Sequence, residues 1–223
     1  MVKTAVMVSG GGTNLQAIID AHIFGEIKNC ELTAVISSNP TAYALSRAEY
    51  AGIPAYVVDA GRHPNGASFS EAIHKKLSEL GIELVVLAGF MHILGPPLVR
   101  AYRNKIINIH PSLIPAFCGA GYYGLRVHEE ALKFGARVSG ATAHFVTNEV
   151  DEGPIILQKA VDILPDDTPF TLQRRIMEQA EWRILPEAVS LYCEGRLEID
   201  GKIVRIKGAR SDVERGRSDS EPQ

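Results

Sequence analysis

The sequence predicts an α/β fold: a mostly parallel, twisted sheet with helices on both faces and an antiparallel strand pair toward the C-terminal part. Three observations predict it. Short, unbroken apolar runs alternate with segments of helical period through the first half of the chain. The first of those runs ends in a glycine turn that opens directly into a helix. Two strand-like stretches, 137–146 and 154–163, follow one another late in the chain across a short polar connection.

In chain order, residues 4–8 form the first strand, residues 9–14 (SGGGTN) the turn, and Leu15, Ile18 and Ile19 the buried stripe of the first helix. Residues 31–38 give a second strand, 42–51 a helix stopped near Gly52, and 55–58 a brief third strand after Pro54. A polar loop at 59–66 leads to a helix over 68–80 closed by Gly81, then to a fully buried strand at 84–88 and a loop at 89–94. Pro96 and Pro97 open a short helix reaching about Tyr102. The next strand, ending at His110, places Asn108 and His110 on one face by strand alternation and delivers both to its carboxyl end, where open α/β sheets bind ligands.

Residues 111–125 form a long loop of glycine, proline and aromatics, and an aromatic loop of that length in a compact domain is expected to be ordered and functional. A helix at 127–134, the strand pair already named, a long amphipathic helix over 168–192 kinked at Pro186, and a hairpin over 197–206 around Asp200-Gly201 complete a domain spanning residues 1–207. Residues 208–223 hold too few apolar side chains to bury and are expected to form a disordered tail.

The 223 residues, 46% hydrophobic and 22% charged, suffice for one sizeable core. A net charge of -3 and a pI near 6.2 argue against nucleic acid or an anionic membrane as partner. Three scattered cysteines suggest reduced thiols, and a start that enters a strand directly, with no apolar run of spanning length, suggests a cytoplasmic protein. A monomer and a homodimer are both compatible with these features.

The glycine turn lies where backbone N–H groups and a helix dipole favour an anion. It lacks the Gly-Lys-Ser/Thr ending of a Walker A loop, and Leu15 stands where a dinucleotide fingerprint needs its third glycine, so Gly12, Thr13 and Asn14 suit a phosphate monoester better than NAD. Of seven histidines, His110, His128 and His144 invite a metal reading, but none has close ligand spacing and no metal is expected. His144 reads by default as a structural strand residue, and Cys118 as a spectator thiol. Asp151 sits in a Gly-Pro-bounded turn. If it reaches His110, its charge raises the imidazole pKa above roughly 6.5 and keeps the ring charged near neutral pH, so that Asn108, His110 and Asp151 form one catalytic set.

Four segments carry a resemblance in order over nearly the whole chain: SGGGTNLQAIID, LAGFMHIL, INIHPSLIPAF and ATAHFVTNEVDEGPIIL. Together they resemble the phosphoribosylglycinamide formyltransferases, folate-dependent enzymes of purine synthesis. The resemblance implies a Rossmann-like formyltransferase fold, small-molecule substrates, and transfer of a formyl group from 10-formyltetrahydrofolate to the amine of phosphoribosylglycinamide without a metal. It further implies that Asn108, His110 and Asp151 are the catalytic trio, and that Gly12, Thr13 and Asn14 bind the substrate phosphate. By the same resemblance Met91, His92, Ile93 and Leu94, with Thr147, Asn148, Glu149, Val150 and Asp151, line the folate pocket. Glu178, Gln179, Ala180 and Glu181 match the segment that reaches the substrate ribose. Two positions depart from the pattern: His92 stands where many relatives carry arginine, and the loop at 59–66 holds Arg62 near, but out of register with, a folate-contacting arginine. A tRNA formyltransferase would need an added basic domain, a formyltetrahydrofolate hydrolase would not need the phosphate turn, and a silent binding module would not need the trio.

Overall fold

The computed structural model describes residues 1–208. Nine strands and seven α-helices run in the order β1 (Val2–Val8), α1 (Thr13–Ile23), β2 (Cys30–Ser37), α2 (Ala44–Tyr50), β3 (Ala55–Val57), α3 (Gly66–Glu79), β4 (Leu84–Leu87), α4 (Pro96–Ala101), β5 (Ile106–His110), α5 (Leu125–Phe134), β6 (Val138–Phe145), β7 (Ile155–Asp162), α6 (Pro169–Ile176), α7 (Trp182–Cys193), β8 (Leu197–Asp200) and β9 (Ile203–Ile206). The tail expected from residue 208 falls, but for Gly208, outside the described residues.

Seven strands form one sheet in the order β3-β2-β1-β4-β5-β6-β7. The first five are parallel, whereas β5–β6 and β6–β7 are antiparallel. Strands β8 and β9 form a separate hairpin. Both faces of the sheet are covered, and strict alternation sorts its side chains. Val6, Val8, Leu84, Val86, Ile107 and Ile109 enter one core with α1, α6 and α7, while Ala5, Met7, Val85, Leu87 and Ile106 enter the other with α3 and α4. This two-sided burial is why the central strands read as continuous apolar runs, with each buried Ile, Leu or Val worth about 2 kcal/mol.

Two expectations need correction. The loop at 59–66 holds a short 3-10 turn, Ala60–Arg62, because the Asp59 carboxylate accepts from Gly61 N–H, and α3 starts at Gly66 because Asn65 caps it by accepting from Ser68 N–H. The helix expected over 168–192 is also not continuous. It divides into α6 and α7 around a π turn at Met177–Glu181, and the regular ladder restarts at Trp182, the residue whose carbonyl the missing N–H of Pro186 would have met.

Candidate active site

The chain runs outward from β1 through β2 to β3, then returns to place β4 and β5 on the other side of β1. The strand order therefore reverses between β1 and β4, which opens a crevice at their carboxyl ends. The loops there are tied together. Ser9 Oγ accepts from Met91 N–H at 2.9 Å and shares a 2.7 Å hydrogen bond with Ser38 Oγ, linking the turns after β1, β2 and β4.

On the β1 side, Gly12 precedes α1 with φ 72°, and no side chain caps the helix. Its first-turn N–H groups are left for an incoming anion. A side chain at Gly12 has no room, because a Cβ there would lie 2.7 Å from Ala44 Cβ. Arg47 pins the turn from outside, donating to Gly11 O at 2.8 Å and to Gln16 Oε1 at 2.9 Å.

Asn14 is buried at the start of α1 and donates from Nδ2 to Glu181 Oε2 at 2.6 Å. The π turn is what carries Glu181 inward, together with the buried Ala180. The other two residues matched to the ribose segment face outward: Gln179 is exposed and Glu178 is paired with Arg174 at 2.7 Å. Burial without a cation pushes the Glu181 pKa up to about 7, with the Asn14 hydrogen bond opposing the shift.

Asn108, His110 and Asp151 converge at the end of β5. His110 Nδ1 lies 3.4 Å from Asp151 Oδ2, and His110 Nε2–H donates to the Phe117 carbonyl at 2.9 Å. The turn carrying Asp151 is held in place by Gly119 N–H, which donates to Oδ2 at 3.0 Å, and by Gly153, where a Cβ would fall 1.7 Å from the Phe145 oxygen. Asp151 itself has φ 59°, a left-handed conformation that aspartate tolerates better than most residues.

A fourth side chain belongs to the cluster. His144 stands directly opposite Asn108 in the β5–β6 register, with Nε2 3.2 Å from Asn108 Nδ2 and 3.6 Å from Asp151 Oδ1. Its Nδ1–H donates to Phe145 O at 2.9 Å. The structural default assigned to His144 is therefore incomplete, and its place was findable by pairing the two strands. The Phe117 carbonyl and Gly119 N–H, by contrast, have no side-chain signature at all.

The charge expected on His110 is also corrected. Burial drives its pKa below the ordinary 6.5 and outweighs the opposing pull of Asp151 and the Phe117 carbonyl, while His144 adds to the lowering. For Asp151 burial acts upward, but the neighbouring His144 and His110 rings and the Gly119 N–H together hold its carboxyl below the usual range. The resting pair is a neutral imidazole facing an ionised carboxylate.

The segments matched to a folate pocket border the same crevice. Met91, His92 and Ile93 are exposed after β4, whereas Leu94 is turned into the α3–α4 core. In the connection from β6 to β7, Asn148 and Glu149 are exposed, and Thr147 Oγ1 donates to the Glu149 carbonyl at 3.1 Å, with Val150 leading into Asp151. Cys118 is half-buried, and burial followed by the charges of Asp151 and Glu152 raises its thiol pKa, which leaves it a poor nucleophile. Among the described residues no group of three His, Cys, Asp or Glu side chains could hold a metal, and no helix is long and apolar enough to cross a membrane.

Comparison with known proteins bears on this geometry. Residues 2–189 match the formyl transferase family model. The chain is 40% identical over 208 residues to the phosphoribosylglycinamide formyltransferase of Haemophilus influenzae, covering 93% of this chain and 95% of that protein. It is 42% identical over 204 residues to the trifunctional purine biosynthetic protein adenosine-3 of Gallus gallus, covering 91% of this chain but only 20% of that longer protein. Among solved structures, glycinamide ribonucleotide transformylase 1 from Symbiobacterium toebii superposes with a TM-score of 0.87 at 47% identity, covering 92% of this chain and 94% of that one.

Proposed function

The chain belongs to the formyl transferase family, among the phosphoribosylglycinamide formyltransferases, and from that premise we propose that it moves a formyl group from 10-formyltetrahydrofolate to the amine of phosphoribosylglycinamide. The observation that carries this reading is the convergence of Asn108, His110 and Asp151 beside an uncapped helix N-terminus in one crevice. An acceptor with a phosphate monoester fits the α1 terminus through Gly12, Thr13 and Asn14, and Glu181 behind Asn14 is suited to hydroxyl groups of its ribose. Met91 to Leu94 and Thr147 to Asp151 border the donor. Purine biosynthesis in the cytoplasm is the setting we propose, in keeping with three free cysteines.

The chemistry follows from the neutral ring. The acceptor amine attacks the formyl carbon, and the carbonyl becomes a tetrahedral oxyanion. An N–H of Asn108 is a suitable donor to that oxygen, typically worth about 3 kcal/mol in the transition state. Substrate entry displaces the Phe117 carbonyl from His110 Nε2. The ring can then carry its proton on Nδ1 toward Asp151 and turn the Nε2 lone pair to the amine. His110 takes the amine proton, becomes an imidazolium stabilised by Asp151, and returns the proton to the folate nitrogen as the C–N bond breaks. Such relay is worth roughly 10²- to 10⁴-fold. No acyl-enzyme is needed, since holding donor and acceptor in contact supplies the proximity.

The test mixes the protein with 10-formyl-5,8-dideazafolate, with and without phosphoribosylglycinamide, and follows deformylation by absorbance. Turnover that requires the ribonucleotide supports the transferase. Turnover without it indicates a hydrolase, and binding without turnover in either mixture indicates a silent module.

A further inference from the structure

The loop after β4, residues 89–94, hangs on a single hydrogen bond. Among the described residues, none of its polar groups has a hydrogen-bond partner except Met91 N–H, which donates to Ser9 Oγ at 2.9 Å. The loop is pinned just outside its two ends, where Ala88 N–H donates to Met7 O at 2.9 Å and Gly95 N–H to Ser70 Oγ at 2.8 Å. Between those anchors Met91 and Ile93 are exposed. A segment with so few hydrogen bonds opens at low cost in free energy, so the Ser9 hydroxyl decides where its middle lies.

Ser9 also belongs to the opposite wall of the crevice. It directly precedes Gly10, Gly11 and Gly12, the turn proposed for the acceptor phosphate. A Cβ at Gly10 or Gly11 would meet nothing within 4 Å, so this part of the turn has room to shift. It is held only from outside, by Ala44 N–H on Gly10 O at 3.1 Å and by Arg47 on Gly11 O at 2.8 Å. Behind Ser9, Ser38 Oγ shares its 2.7 Å hydrogen bond, and Ser38 is anchored in turn by its own N–H on Val8 O at 3.0 Å. One residue therefore joins the phosphate turn through its backbone to the donor loop through its hydroxyl.

We propose that Ser9 is a positioning residue that couples the two substrates. An anion held at Gly12, Thr13 and Asn14 fixes the turn and with it Ser9 Oγ, which fixes Met91 N–H and orders the loop before the donor arrives. The inference rests on the acceptor and donor readings of these two segments. Ordering a loop costs conformational entropy, and a first ligand that has already met part of that cost raises the affinity of the second without touching it. The coupling acts equally in both directions. Carried by one neutral hydrogen bond, it amounts to about a fivefold change in affinity.

Phosphoribosylglycinamide meets the donor directly, so the test uses inorganic phosphate, which fills the turn without reaching the loop. Calorimetry measures the affinity of 5,8-dideazafolate, the deformylated donor, in saturating phosphate and in chloride of equal ionic strength. In the unaltered protein phosphate is expected to tighten its binding about fivefold. S9A is expected to bring that ratio to one while 5,8-dideazafolate still binds in chloride, and S9T, which keeps the hydroxyl, to restore it. Equal affinities with phosphate bound, an undiminished ratio in S9A, or a ratio of one in S9T would each overturn the coupling while leaving the transferase reading intact. Should S9A not fold, hydrogen exchange at Met91 N–H in the unaltered protein decides: slower exchange in phosphate than in chloride supports the coupling, and equal exchange overturns it. No binding of 5,8-dideazafolate in either buffer would overturn the folate reading, no binding of phosphate would overturn the acceptor reading, and the coupling falls with either.

Discussion

His144 and Asn108 face each other across β5 and β6, and the imidazole Nε2 stands 3.2 Å from the amide nitrogen. Because Nδ1–H is fixed by the Phe145 carbonyl, the ring cannot turn, and Nε2 accepts from the amide when His144 is neutral. The orientation of the Asn108 amide, and hence the direction of its remaining N–H, is set by a residue outside the trio. We expect His144→Ala to lower kcat by roughly 10²-fold, the scale on which misplacing a reacting group acts, with KM changed only slightly. Steady-state kinetics with both substrates checks this, and an unaltered kcat would sink the positioning role.

The neutral resting state of His110 makes a prediction about pH. Activity that needs the unprotonated ring rises with pH through the His110 pKa, so the acid limb of kcat/KM should have its midpoint below 6.5. Asp151 is a group that pulls that pKa upward, so Asp151→Asn should move the limb to still lower pH. The same change removes the stabilisation of the imidazolium formed in the reaction, and kcat should fall by at least about 10²-fold. A limb displaced upward in Asp151→Asn, or a rise in KM with kcat preserved, would contradict the assignment.

At the other end of the crevice the geometry of the turn itself can be tested. Gly12→Ala places a Cβ 2.7 Å from Ala44 Cβ and 3.0 Å from its Cα, on a residue with φ 72°. Relief requires the turn to move away from α2, which misaligns the N–H groups at the start of α1. We expect a stability loss of about 1–3 kcal/mol. Calorimetry should also show a markedly weaker phosphorylated acceptor. Full acceptor affinity in a folded Gly12→Ala protein would remove the phosphate from this turn.

What could be read from the sequence follows from which groups carry a pattern. The buried strands announced themselves as runs such as Leu84–Leu87 because both their faces are covered. Asn108 and His110 shared a face by simple alternation. Phe117 and Gly119 contribute only backbone atoms to the cluster, and backbone atoms leave no mark on residue type. The π turn was hidden because the apolar period runs through Met177–Glu181, and only Pro186, farther on, hinted at irregularity. The sign of the His110 shift depended on burial depth, which residue spacing does not report. Pairing β5 with β6 would have brought His144 beside Asn108 before any coordinates.

Two buried groups outside the trio should pull the stability of the chain in opposite directions over nearly the same pH range, so that their contributions largely cancel between about pH 4.5 and 6.5. His128 on α5 is fully buried with neither ring nitrogen hydrogen-bonded to protein, and burial, followed by the nearby charge of His110, lowers its pKa from 6.5 to about 4. The unfolded chain thus binds its proton first. The contribution of His128 is fully present above pH 6.5 and is lost as pH falls toward 4, for about 3 kcal/mol. Glu181 has the opposite sign. Its pKa rises from 4.5 to about 7, so the folded chain holds the proton more tightly, and a contribution of about 3 kcal/mol present below pH 4.5 is lost as pH climbs through 7. Glu181→Gln keeps an oxygen to accept from Asn14 and removes the charge, so it should stabilise the protein at pH 8 while weakening the ribonucleotide acceptor. Urea unfolding at intervals between pH 4 and pH 8 should therefore show little net slope from these two groups in the unaltered chain, an acid limb unmasked in Glu181→Gln, and an alkaline limb unmasked in His128→Leu. An alkaline limb that survives in Glu181→Gln would assign the loss to another group, and an acid limb that survives in His128→Leu would do the same for the histidine. If the leucine variant does not fold, the proton uptake of the intact protein between pH 6.5 and 4, measured by titration against the unfolded chain, still decides the sign.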